Sequence, residues 1–180
     1  MPDWSRRADE LLEDCKFESL LVLVWGPGVP DASTPDEKRK GYNKRVQIRE
    51  QISAQFPRSR VRFSEDPDMQ ALGPPTLSQL EREALHADIA DLVVLLATSR
   101  GSELEMDHFI PTHPRIRDKI YVLIPERYKS TEGLSQEVLD YLRGVQVVGF
   151  TQDEFDLCKV ATEKSVNITL GAALKKRLSG

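Results

Sequence analysis

Cysteine and histidine are scarce in this chain, two and three of 180 residues. Cys15 and Cys158 lie far apart, and neither they nor the histidines form a ligand-spaced cluster, which argues against a structural zinc site. Two isolated thiols without a secretory signal read as reduced cysteines in a cytosol. Long apolar runs are also missing. The strongest, LLVLVWG and LVVLLA, are far shorter than the roughly 20 residues that span a bilayer. The opening MPDWSRRADELLED contains no signal-like stretch. Nor is there an excess of positive charge: the formal net charge is −4, so no global basic field argues for nucleic acid. These absences lead to the expectation of a cytoplasmic chain with neither membrane nor nucleic acid as a direct partner, and with no metal.

What is present is an ordinary globular composition, 39% hydrophobic and 30% charged, with a mean hydropathy of −0.42. The length suits one domain. Residues 5–16 have a helical apolar stripe of Ala8, Leu11, Leu12 and Cys15. Five short apolar runs predict strands: 20–25, 60–65, DLVVLLA at 91–97, KIYVLIP at 119–125 and VQVVGF at 145–150. Between them lie helical stretches at 36–56 (with Tyr42, Val46, Ile52 and Phe56 as core contacts), after Thr76, at 102–110 and at 134–143. One or two more fall between Gln152 and Leu178. Thr76 reads as an N-cap with Gln79 completing a capping box, and Leu77, Leu80, Ala84 and Leu85 as the buried stripe. Strands alternating with helices imply crossover connections, hence a single doubly wound five-stranded parallel sheet, flavodoxin-like, with helices on both faces. The divisions are an N-terminal helix in 1–18, a core of sheet and helices in 19–150, and C-terminal helices in 151–180.

In such sheets ligands bind beyond the carboxyl ends of the strands, where the strand order reverses. That rule selects Gly26-Pro27-Gly28 after the first strand, Ser64-Glu65-Asp66 after the second and 98–105 after the third. The glycines of WGPGVP let backbone approach a ligand, but the stretch is neither a dinucleotide fingerprint nor a P-loop. It also reads as a plain turn. Trp25 can stack on a base or belong to the core. In TSRGSELEMDHF, Ser102 and Glu105 form an S-x-x-E capping box, which by itself implies no chemistry. Yet Ser99, Arg100, Gly101 and Ser102 put hydroxyls, a guanidinium and free N–H groups at a helix start, a combination suited to a phosphorylated ligand. The basic run Lys38, Arg39, Lys40, Lys44, Arg45 and Arg49 reads as a solvated helix face; alternatively one or two of its members, Arg45 foremost, hold a phosphate.

The stretch ADIADLVVLLATSRGSELEMDHF resembles the third strand, loop and helix of the nucleoside 2-deoxyribosyltransferase-like and TIR-like superfamily. Its S-x-G-x-x-x-E pattern is matched by Ser99, Gly101 and Glu105. The form SRGS…E…F, together with FSED and LSQLEREALHADIADL, is most similar to small stand-alone relatives among bacterial anti-phage effectors. The resemblance covers roughly residues 20 to 125; the longer Gly-rich loop of the fuller transferase pattern is missing. It implies cleavage of the N-glycosidic bond of NAD or a nucleoside phosphate through an oxocarbenium-like transition state, with the nucleotide as substrate and no cofactor. Glu105 would attack C1′ or stabilise its charge, and Glu65 or Asp66 would bind ribose hydroxyls or position the acceptor. Gly26, Gly28, Trp25 and Arg45 would contribute substrate contacts. Control by a regulatory protein partner or by homo-oligomerisation is expected of an enzyme that is toxic when always active. The rival expectations are a nucleotide-binding sensor without turnover and a TIR-like assembly module.

Overall fold

The computed structural model describes residues 4–98, 114–126 and 145–179. The elements in chain order are α1 (Trp4–Cys15), β1 (Leu21–Trp25), α2 (Asp36–Gln55), β2 (Arg60–Arg62), α3 (Pro67–Gln70), α4 (Gln79–Ile89), β3 (Leu92–Leu96), α5 (Pro114–Arg117), β4 (Ile120–Pro125), β5 (Gln146–Phe150), α6 (Gln152–Asp156), a π-helix (Val160–Ser165) and α7 (Val166–Ser179). The helices expected at 102–110 and 134–143 lie outside the described residues.

All five strands are parallel, in the order β2-β1-β3-β4-β5. This is the flavodoxin-like order, with the reversal at β1, which pairs with both β2 and β3. Alternation along each strand divides the core in two, because successive side chains point to opposite faces. Val22, Val24, Leu92, Val94 and Leu96 pack with Cys15, Ile48, Ile52, Phe56, Phe155, Ile168 and Ala173 from α1, α2, α6 and α7. On the other face, Leu23, Trp25, Val93, Leu95, Val122 and Ile124 pack with Met69, Ala87 and Ile116 from α3, α4 and α5. A sheet covered on both faces explains why β1, β3 and β4 read as continuous apolar runs.

Three local expectations are corrected. Ser78, not Thr76, caps α4: its Oγ accepts from the Glu81 N–H at 3.3 Å while the Glu81 carboxylate accepts from the Ser78 N–H at 2.8 Å. Gln79 is therefore the first helical residue and Leu77 precedes the helix. Leu80, expected in the buried stripe, is 41% exposed, because the first turn borders a cleft rather than the sheet; burial begins at His86 and Ala87. The second strand ends at Arg62, and the loop expected after it contains the one-turn helix α3, with Pro67 at its start, where a missing N–H does no harm.

The third correction concerns α2. Its buried stripe is Gly41, Lys44, Arg45, Ile48 and Ile52, whereas Tyr42 and Val46 are half-buried. Two members of the run read as a solvated face thus point into the protein. Helical spacing leaves no alternative: the turn that presents Ile48 and Ile52 to the sheet presents 41, 44 and 45 as well. Gly41 permits the close approach, since a Cβ there would lie 2.7 Å from Thr98 Oγ1 and 2.8 Å from the Pro27 ring.

Candidate functional site

A cleft of about 480 Å³ opens at the carboxyl ends of β1 and β2. Its walls come from the β1 loop (Trp25, Gly26, Gly28, Val29), the β2 loop (Ser64, Glu65), and the segment leading into α4 with its first turns (Leu77, Gln79, Arg82, Glu83). Arg45 and Gln70 complete the lining.

The floor is organised by Arg45. Its Nε donates to the Val24 carbonyl at 2.9 Å and Nη1 to the Pro27 carbonyl at 3.2 Å. Nη1 and Nη2 form a bidentate pair with Glu65 at 2.5 and 2.8 Å. The guanidinium also lies 4.0 Å from the Phe63 ring centroid, as does that of Arg49. Four hydrogen bonds from this side chain are consumed within the fold, so its main work is to tie the end of β1 to the β2 loop. Burial would raise the Glu65 carboxyl, but the hydrogen bonds and charge of Arg45 outweigh it and hold that group below the usual carboxylate range. Glu65 thus enters the cleft as a fixed anion, 41% exposed.

Trp25 donates from Nε1 to Ser64 Oγ at 2.8 Å and is 8% exposed, so one edge reaches the cleft while the ring belongs to the core. Gly26 has φ +148°, and a Cβ there would meet the Leu96 carbonyl at 3.0 Å. This glycine is required, and it brings the β1 loop against the end of β3. Gly28 faces open space. Asp66 does not line the cleft; its carboxylate accepts from the Phe63 N–H at 3.0 Å and from Arg49 at 3.4 Å, which closes the turn after β2. Glu105, Ser99, Arg100, Gly101 and Ser102 lie outside the described residues. The chain reaches them from Thr98, which is buried and whose Oγ1 has no hydrogen-bond partner among the described residues. Thr98 also lines a smaller hollow of about 250 Å³ with Glu37, Lys40, Pro125, Phe150, Gln152 and Phe155.

Arg82 and Glu83 were not anticipated as site residues. The Glu83 carboxylate accepts from Gln79 at 3.1 Å and has no cationic partner among the described residues. Arg82 donates to the Gln70 and Leu77 carbonyls, and Gln70 donates to the Ser64 carbonyl at 2.6 Å, so the cleft rim is laced together. The usable signal was topological. A helix leading into a parallel strand starts at the carboxyl end of the sheet, so the polar face of its first turns borders any site there. Among the described residues no group of three or more acidic, histidine or cysteine side chains could hold a metal ion, and no helix is long and apolar enough to cross a membrane.

No protein-family model matches the chain, and no curated protein matches it. Among solved structures it is similar to the apo form of an NADH:FMN oxidoreductase (EMOB), at 15% identity over 89% of either chain with a TM-score of 0.41. That likeness is too distant to bear on activity.

Proposed function

We propose that the chain is an N-glycosidase that cleaves the bond between base and sugar of NAD or a nucleoside phosphate, with the substrate in the cleft beyond β1 and β2. The observation that carries the reading is the ionised Glu65, fixed by Arg45 in the cleft that Gly26 and Gly28 also line. A sugar hydroxyl can donate to the lone pairs that Arg45 leaves free on this carboxylate, and Glu83, in the lining of the same cleft, offers a second acceptor. In sequence the S-x-G-x-x-x-E pattern begins at the residue after Thr98, and Leu96, at the end of β3, abuts Gly26. In the reaction the C1′–N bond breaks, positive charge spreads over C1′ and the ring oxygen, and Glu105 stabilises that charge or adds to C1′. Water then supplies the hydroxyl; its proton ends on the departing base of a nucleoside phosphate, or passes to solvent when neutral nicotinamide leaves NAD. Following the resemblance, we assign the activity to a regulated bacterial anti-phage effector, switched by a protein partner or by self-association.

The test incubates pure protein with NAD and a panel of nucleoside phosphates, alone and with its genomic neighbours, and follows free nicotinamide or base. Glu105→Gln is expected to lower the rate by about 10²–10³-fold, the usual effect of losing one transition-state charge partner. No release by wild type under either condition, with Glu105→Gln indistinguishable from it, ends the enzyme reading. The same bidentate pair also suits a sensor without turnover, because it commits Glu65 to holding a ligand rather than to attack. Thermal stabilisation by a nucleotide without product would establish it.

A further inference from the structure

The two adjacent cations that α2 buries are treated differently. Arg45 meets a carboxylate. Lys44, only 5% exposed, has no carboxylate in ion-pair range among the described residues. Its Nζ instead approaches Cys158 Sγ at 3.4 Å and lies 4.8 Å from the centroid of the Phe155 ring. An ammonium taken out of water without a counter-ion is costly, so its aim at a sulfur calls for a reason. Cys158 is unusual in its own right. It has φ +62°, the sole non-glycine residue with positive φ among those described, and it sits just ahead of the π-helix. Left-handed backbone and π-turns both recur at functional positions. The thiol also contacts Gln47 Oε1 at 3.4 Å, one turn along α2 from Lys44. It is half-buried, whereas the other free thiol, Cys15, is fully enclosed. A partly exposed sulfur beside a cation is the setting in which cysteine reacts with oxidants.

We propose that Cys158 and Lys44 form a hydroperoxide-responsive modification site, in which the oxidised sulfur is captured by the lysine nitrogen as an S–N bond. The sulfur attacks the peroxide oxygen, an S–O bond forms and the O–O bond breaks. The thiol is oxidised by two electrons to a sulfenic acid, and the peroxide is reduced to water or an alcohol. The Lys44 ammonium gives one proton to solvent, and the neutral Nζ then attacks the sulfur, forming S–N and breaking S–O. The departing hydroxide takes a second nitrogen proton and leaves as water. The product is a sulfenamide that lacks two hydrogens relative to thiol plus amine, and it staples α2 to the turn between α6 and the π-helix. A small thiol reductant reverses it.

The test exposes the full chain to hydrogen peroxide and reads intact mass and a peptide map. The expected result is a loss of two hydrogens, a peptide joining residues 44 and 158, reversal by dithiothreitol, and Cys15 left unmodified. Because a disulfide between the two cysteines has the same mass, Cys15→Ser must keep the loss; its disappearance there overturns the proposal. Lys44→Arg keeps the charge and the fold but lacks the amine, and should stop at a sulfenic acid trapped by dimedone. Wild type that gains only oxygen, reacts first at Cys15 or does not react at all also overturns it.

Discussion

At the residue scale, Arg45 and Glu65 link the fold to its site. Arg45→Met removes one member of a pair whose arginine is 3% exposed and whose glutamate is 41% exposed. Losing half of a buried pair costs about 3–5 kcal/mol, and solvent at Glu65 screens part of that. A loss of about 1–3 kcal/mol in urea unfolding is expected, and a change below about 0.5 kcal/mol, within ordinary surface-mutation scatter, would contradict the assignment. The same pair sets an acid limit. The Glu65 carboxyl sits lower in the fold than in the unfolded chain, so its contribution is complete above the unfolded value, about pH 4.3. It is lost as pH falls through the lower folded value, and the Arg45→Met variant should lack this loss. His86 adds a second acid-sensitive step. Burial pushes its imidazole below the usual range, with Nε2 held 2.8 Å from the Met69 carbonyl. The unfolded chain therefore takes up the proton first below about pH 6.5, and stability should decline from there. His86→Gln should flatten that part of the curve. Two glycines form a sharp pair. Gly26→Ala meets both φ +148° and the Leu96 carbonyl and should cost about 1–3 kcal/mol, while Gly28→Ala, in open space, should stay within about 0.5 kcal/mol. Equal effects in thermal melts would show that the β1 loop is arranged differently.

At the element scale, α4 shows what local pattern can and cannot settle. Both Thr76-x-x-Gln79 and Ser78-x-x-Glu81 satisfy the capping rule, and the choice falls to the pair whose acid reaches back ionised. Glu81 is held below the usual carboxylate range by hydrogen bonds from Ser78. Ser78→Ala should cost about 1 kcal/mol, the usual worth of such a cap, and Thr76→Ala should stay within about 0.5 kcal/mol. Denaturant midpoints in the reverse order would make Thr76 the cap. In α2 the helix itself was legible, but not its inner face. A run of Lys and Arg reads as solvated because a free cation cannot be buried. The carboxylate that permits burial of Arg45, Glu65, lies 20 residues away, and the sulfur that Lys44 approaches lies 114 away. Local periodicity contains no term for a partner supplied by another element.

At the scale of the whole molecule, the cleft exists because three separate segments converge beyond β1 and β2. A nucleotide bound there would tie the β1 loop, the β2 loop and the start of α4 together. It should raise the melting temperature, by the equivalent of about 2.7 kcal/mol at a hundredfold excess over Kd. Glu83→Ala should reduce that stabilisation without lowering the melting temperature of the free protein, since among the described residues its carboxylate bonds only to the exposed Gln79. A shift identical in wild type and variant would place the ligand elsewhere.

Periodicity and chain connectivity were enough to establish the layering: five parallel strands, β1, β3 and β4 almost wholly buried, with helices on both faces and the carboxyl ends of the strands at one end. Those features are local, and so they can be read along the chain. Which polar side chains share a space was settled only in three dimensions. Folding closed Asp66 into a turn, spent most of Arg45 on the fold, and brought Glu83 into the same cleft as Glu65. The reason is that pairing energies depend on distances between residues remote in the chain, and no local pattern encodes them.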